Sequence, residues 1–197
     1  MSEIKSALEL ALERTADVKG DRSSLEAHES RQTGMRLAGK FMEDPSMDIA
    51  TEFNQVETAK RAGAKSGFFH VMLSHLALPN HEADLQRFQS VHQGLKAVIA
   101  DEQFVDGLMD QVTQYLQQYL ETKNQLTERL RQQFQPRIKQ KEQQIAQQTG
   151  RQVRLDPAND PEFAQALNQN IGRLQEQYGQ VIDQAKEQLE QLFQASR

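Results

Sequence analysis

Residues 161–193 read PEFAQALNQNIGRLQEQYGQVIDQAKEQLEQLF, and apolar residues recur in them every three or four positions. Steps that alternate between four and three are typical of a helix that lies along another helix. The pattern therefore predicts an apolar seam on one side of a long helix, and this seam needs a helical partner. The seam consists of Phe163, Leu167, Ile171, Leu174, Tyr178, Val181, Ala185, Leu189 and Leu192.

The start of this helix is marked by Asp160 and Pro161. An Asp at the N-cap accepts hydrogen bonds from the first turn, and Pro is well suited to the first helical position. Glu162 follows in the first turn, where the helix dipole favours a carboxylate. The sequence therefore predicts that the helix begins at Pro161.

A second long helical run precedes it, from about Asp101 to a stop at Thr149-Gly150. Whether this run starts at Asp101 or continues the preceding helix is open at this point. Pro136 lies inside it and predicts a kink or a break. Two long helices and a connection near 150–160 predict an antiparallel helical-hairpin arm, similar to a coiled coil.

The first hundred residues read as shorter helices. We expect one from Ser2 to about Lys19 that stops at Gly20, and a second that Gly34 interrupts and Asp44-Pro45-Ser46 ends. A third begins near Met47, and Gly63 and Gly67 are expected to loosen the chain after it. The apolar stretch Phe68–Leu78 predicts a buried helix, and Asn80 can cap the next one.

These patterns predict an all-α protein with two parts, a compact N-terminal helical domain over 1–100 and the helical-hairpin arm over 101–197. Apolar residues make up 37% of the chain and aromatic residues 6%, which suits thin helical packing better than one thick core. About two dozen glutamines follow Gln103. The persistent apolar spacing among them favours ordered helix over a low-complexity tail.

Composition also bounds the location and the chemistry. The chain has no cysteine, so it offers neither disulfides nor thiolate nucleophiles. Its opening carries acids among the apolar residues, unlike a signal peptide, and no run approaches the roughly 18 apolar residues of a membrane span. The cytoplasm is therefore the expected location. No catalytic motif is present, and Gly63–Gly67 lacks the spacing of a phosphate loop.

The charge is uneven along the chain. The net charge is −5, yet eight bases and three acids lie between Glu121 and Arg154. The eight bases span residues 123–154. This basic segment suggests one alternative function, nucleic-acid binding, which requires contacts to phosphates. Because glutamines dilute the bases throughout, the sequence favours a solvated helix surface.

The five histidines suggest the other alternative, a helical bundle that binds a metal or a ligand. They are His28, His70, His75, His81 and His92. His70 and His75 are about 140° apart on a helix, and the Glu-x-x-His motif of di-iron bundles is absent. An interhelical site with His70, His75 and His81 as candidate ligands stays open, although packed or surface histidines are favoured. No cofactor is expected.

The leading hypothesis is a non-enzymatic scaffold or adaptor protein that acts through coiled-coil-like helices. Its partner is expected to be a second copy or another helical protein, because two helices bury only one side each. The sequence leaves open whether the same chain, a second copy or another protein covers the seam.

The opening EIKSALELALERT, followed by VKGD and then RLAGKFMEDP, resembles a family of short bacterial helical proteins of uncharacterised function. The resemblance covers mainly the first 45 residues and leaves the Gln-rich arm outside. It implies no function for this chain.

Overall fold

The structure, a computed structural model, describes residues 7–196, with side chains for residues 24–196. The described residues form six α-helices and no strand, so the prediction of an all-α protein is confirmed. The helices are α1 (Ala7–Glu43), α2 (Ile49–Gln55), α3 (Thr58–His75), α4 (Asp84–Lys96), α5 (Glu102–Thr149) and α6 (Pro161–Ala195), with a short 3-10 turn at Pro157–Asn159.

The described chain divides into two compact units that do not follow chain order. The first unit holds the residues up to Leu76, Gln89–Asp106 and the end of the chain from Glu190. The second holds Ala77–Phe88 and Gly107–Leu189. The division into 1–100 and 101–197 stays a prediction.

Helices α1 and α3 approach so closely in the first unit that their contact needs glycine. A Cβ placed on Gly34 would lie 1.8 Å from the carbonyl oxygen of Ala64. A Cβ on Gly67 would lie 2.1 Å from the carbonyl oxygen of Arg31. The two backbones are therefore in direct contact, and a larger residue at either position would push them apart.

This contact corrects the predicted helix breaks. Helix α1 runs without interruption through Gly20 and Gly34, and α3 runs through Gly63 and Gly67. Glycine costs about 1 kcal/mol in a helix relative to alanine. At Gly34 and Gly67 the close helix packing offsets that cost. Residues 2–6 of the first predicted helix lie outside the described residues.

The breaks that do occur have local causes. Helix α1 ends at Glu43, as Asp44-Pro45-Ser46 predicted. Asp48 then starts α2, because its carboxylate accepts the backbone N–H groups of Ala50 (3.1 Å) and Thr51 (3.2 Å).

Helix α2 ends at Gln55, earlier than the sequence indicated. Arg61 donates to the carbonyls of Asn54 (3.1 Å) and Val56 (3.3 Å) there. The break therefore lies between α2 and α3, before the glycines.

The core of the first unit is built on phenylalanines. Phe68 is fully buried, and its ring centroid lies 5.7 Å from that of Phe41 and 5.4 Å from that of Phe53. Phe69 stacks on Phe193 with the ring centroids 4.1 Å apart. These contacts agree with the prediction that Phe68–Leu78 supplies a buried helix, although α3 ends at His75.

The ends of α5 follow their local sequence. The helix starts afresh after Asp101, whose carboxylate accepts the N–H of Phe104 (3.1 Å). It continues without a break through Pro136. Pro136 has no N–H to donate to the carbonyl of Gln132, and both residues are exposed. It ends before Gly150, which has a left-handed φ of 68°.

Over the described part of the chain, no helix combines the length and the apolar character needed to cross a membrane.

A glycine pair tests the α1–α3 contact. We expect Gly34→Ala to lower the free energy of unfolding by on the order of 1–3 kcal/mol, because the new methyl group meets backbone. The control is Gly39→Ala in the same helix, where an added Cβ meets nothing within 4 Å. Gly39→Ala should raise stability by about 0.5–1 kcal/mol. Urea unfolding followed by circular dichroism measures both, and equal effects would contradict the close approach.

Candidate interaction surface

Helices α5 and α6 run antiparallel within the second unit. The ring of Phe134 lies edge-on to that of Phe163, with the centroids 5.6 Å apart. Tyr178 contacts Tyr119 at 5.3 Å and Tyr115 at 4.5 Å between centroids. Residue numbers thus fall along α5 while they rise along α6. The predicted seam therefore contacts α5 of the same chain.

A hydrophobic cluster surrounds Tyr178 in this helix pair. Tyr119, Leu120 and Tyr178 are buried, and Leu174 and Tyr115 pack against them. Leu78 and Leu85, from the segment before and at the start of α4, close the cluster. A third chain segment therefore covers the seam at this point.

Burial is uneven along the predicted seam residues. Phe163, Tyr178, Ala185 and Leu189 are buried, with Leu189 fully so. The others are half-buried: Leu167, Ile171, Leu174, Val181 and Leu192. The stretch between Phe163 and Tyr178 thus keeps part of its apolar surface open.

The sequence pattern missed two core residues, Ile182 (2% exposed) and Phe193 (6% exposed). Each directly follows a residue that the pattern placed on the seam, Val181 and Leu192, which are only half-buried. From Tyr178 the buried positions advance by four, three, four and four residues, in place of the three-residue steps expected at Val181 and Leu192. A straight helix drifts relative to a strict heptad in this direction.

The start of α6 is fixed by Asp160, as predicted. Its carboxylate accepts the N–H groups of Glu162 (3.0 Å) and Phe163 (3.2 Å), and it binds the ammonium of Lys141 on α5. One turn away on α5, Arg137 forms a two-pronged ion pair with Glu162. These pairs join the two helices next to their connection.

The surroundings of Asp160 affect its titration. The Lys141 ammonium, and after it the N–H groups of Phe163 and Glu162, hold the pKa of Asp160 below its usual value, against the opposing effect of burial. The charged carboxylate is therefore the form that the folded protein favours.

The basic 123–154 segment is partly neutralised within the chain. Arg137 and Lys141 form the two ion pairs, and Lys123 donates to the carbonyl of Asn80 (3.1 Å). The other bases have exposed side chains: Arg129, Arg131, Lys139, Arg151 and Arg154.

Two of the open grooves on the second unit lie on either side of the middle of α5. One, of about 500 Å³, lies beside the α5–α6 connection and is lined by Ile138, Lys139, Val153 and Arg154 among others. Val153 is 40% exposed there. The other, of about 550 Å³, has Leu85 and Leu120 in its lining and the carboxylates Glu82 and Glu121. We name them the basic groove and the acidic groove.

The candidate metal ligands are spread out. His28, His70 and His81 are exposed, and His75 and His92 are half-buried. Within residues that the structure describes, no three His, Asp or Glu side chains are grouped so that they could hold a metal ion. His92 instead contacts Asp106 (2.7 Å), which also binds Lys96 (3.0 Å). Lys96, and then His92, lower the pKa of Asp106.

Comparison with known proteins gives the family. A family model matches residues 50–191. The chain belongs to the family of unknown function DUF6657. We found no match among curated proteins or among solved structures.

The DUF6657 match differs in place from the resemblance noted in the sequence. It begins in α2, after the opening that carried the resemblance, and it includes the Gln-rich segment that the resemblance left out. A family without an assigned function, as expected, supplies no activity to transfer. The DUF6657 region contains the α5–α6 contacts, Asp160 and both grooves.

An adjacent pair of residues tests the observed packing of α6. Ile182→Ala should lower the free energy of unfolding by about 2–5 kcal/mol, because it leaves a cavity in the core. Val181→Ala removes a half-buried side chain and should cost clearly less. Chemical unfolding measures both variants. A larger loss of unfolding free energy for Val181→Ala would contradict the observed burial and support the strict heptad.

The acid dependence of stability tests Asp160. Because its pKa is lowered on folding, its contribution is present above the ordinary Asp pKa of about 3.9 and is lost as pH falls below it. Asp160→Asn keeps an N-cap side chain but removes the charge, so the variant should lose less stability on acidification. Tyrosine fluorescence reports on this unit, because all three tyrosines (Tyr115, Tyr119, Tyr178) lie in it.

Asp156→Asn is the matched control for this experiment. Asp156 is exposed and caps the neighbouring 3-10 turn through the N–H of Ala158 (2.9 Å). Its variant should follow the wild-type acid profile. An Asp160→Asn profile that also follows the wild type would contradict the role of the Lys141 ion pair.

Proposed function

We propose that this protein is a non-enzymatic interaction protein that acts through the α5–α6 helix pair and associates with further helices, first of all those of a second copy. The observation that carries the proposal is the incomplete burial of the seam. Leu167, Ile171 and Leu174 are half-buried between the buried residues Phe163 and Tyr178.

Physical chemistry links this burial to association. Each helix of a pair buries one stripe, and apolar surface that stays accessible gains about 25 cal/mol per Å² when a partner covers it. The cluster around Tyr178 illustrates such cover inside the chain, since Leu78 and Leu85 pack against it from outside the helix pair. A helix from another molecule would supply the same cover to the half-buried stretch.

The exposed faces of α5 also suit a protein that binds other helices. They carry glutamines and charges of both signs, which form hydrogen bonds and ion pairs across a polar interface. Following the composition, the same proposal places the protein in the cytoplasm and assigns it a scaffold or adaptor role.

Light scattering coupled to size exclusion tests the proposal. We expect a dimer or a larger assembly at micromolar concentration. Circular dichroism on the same fractions is the control, because it shows whether the protein is folded. A folded, compact monomer over this concentration range would overturn the proposal.

A further inference from the structure

Four exposed charges lie in a definite order along α5. Glu121 and Glu128 come first, and Arg131 and Lys139 follow. At 100° per residue, all four lie within about 80° of arc on one face of the helix. Asn124 and Gln135, also exposed, lie within the same arc. This face therefore has an acidic first half and a basic second half.

We propose that this face of α5 binds the same face of a second copy in antiparallel orientation. The inference rests on the proposed function, since it requires self-association. It names a contact surface on α5, turned away from the residues that contact α6, and its register, and it leaves the half-buried stretch of the seam available to another helix. Glu121 of each copy then lies opposite Lys139 of the other, and Glu128 opposite Arg131. Both pairs are centred near residue 130, so one two-fold axis forms both at once. A parallel arrangement would place like charges together.

The two grooves obey the same symmetry. The acidic groove is lined on α5 by residues from Gln117 to Gln125, and the basic groove by residues from Gln135 to Glu142. The midpoint of these two stretches is again near residue 130. The antiparallel register therefore brings the basic groove of one copy against the acidic groove of the other.

The groove residues complement one another in this register. Val153 is an exposed apolar side chain flanked by Arg154, and this register brings it to the acidic groove, whose lining includes the half-buried Leu85. The ion pair between Glu121 and Lys139 cannot form within one chain, because the two residues are 18 positions apart, about 27 Å along the helix.

The hydrogen bonds that Glu121 and Glu128 make within the chain leave them able to bind a base of a second copy. Glu121 accepts from the amide of Gln125 (3.1 Å) and Glu128 from that of Gln132 (3.2 Å). A carboxylate has about four acceptor sites, so each can also accept from a base of the second copy. Glu142, half-buried in the basic groove, also lies on this face and accepts the N–H of Leu155 (2.7 Å). In the antiparallel register it lies opposite Gln117, so it meets no acid of the second copy.

Cysteine pairing tests the register, since the natural chain has no cysteine to interfere. Asn124→Cys protein mixed with Gln135→Cys protein should give a disulfide-linked dimer on mild oxidation. Asn124→Cys alone should not, because its two copies would lie about 16 Å apart along the axis, beyond the roughly 7 Å between Cα atoms that a disulfide spans.

The matched control replaces Gln135→Cys by Gln133→Cys. Gln133 is exposed and only two residues away, but about 160° around the helix. Its mixture with Asn124→Cys should give far less linked dimer. Equal yields from both mixtures, or linkage of Asn124→Cys to itself, would overturn the antiparallel register.

Charge reversal tests the attraction. Glu121→Lys or Lys139→Glu alone places like charges together twice in each dimer and should raise its Kd on the order of tenfold. The double variant exchanges the charges and should restore wild-type affinity, which a structural defect would not do. Arg129→Glu makes the same change of charge on another face of α5 and should leave the Kd unchanged.

Sedimentation measures these affinities, and their pattern separates the two proposals. A dimer that gives no disulfide between Asn124→Cys and Gln135→Cys, and whose Kd does not change on charge reversal, would overturn this inference and leave the proposed function in place. A folded monomer under all conditions would overturn both. High salt should weaken the wild-type dimer, because its central contacts are ionic.

Discussion

The ion pair between Lys141 and Asp160 is the contact on which the second unit depends. The Asp160 side chain is only 3% exposed, and the same carboxylate also caps the first turn of α6. One group therefore determines where α6 begins and which turn of α5 lies against it. The Arg137–Glu162 pair adds a second link close by, so the register of the two helices is set at their connection and continues to Tyr178.

Features with local causes were readable from the sequence. Asp160-Pro161, Thr149-Gly150 and Asp44-Pro45-Ser46 each act through the backbone of their own neighbours, and each marks a real helix end. Gly67 carries no such local meaning. Its reason is the carbonyl oxygen of Arg31, 36 residues away, and a pattern read along the chain contains no record of that distant atom. The same residue type thus predicted a break where the fold needs close packing.

The seam shows the same limit at finer scale. Its existence and its first residues followed from the spacing of apolar side chains, and its start from Asp160-Pro161. Val181 and Ile182 are both apolar and β-branched, so the sequence offers no reason to choose between them. The neighbours of α6 decide, and they bury Ile182. A pattern can therefore place a helix face within about one residue, and the partner helix settles the rest.

The charges of α5 show why order carries more information than a net count. Taken together, residues 121–154 are basic, which suggested nucleic acid only as an alternative to a solvated helix surface. Taken in order, acids precede bases on one exposed face, and such a face is complementary to itself when reversed. Exposed ion pairs are individually worth only about 0.2–1 kcal/mol. In the proposed dimer their contribution is therefore mainly to specify orientation and register, and burial of the exposed Val153 side chain would add apolar contact.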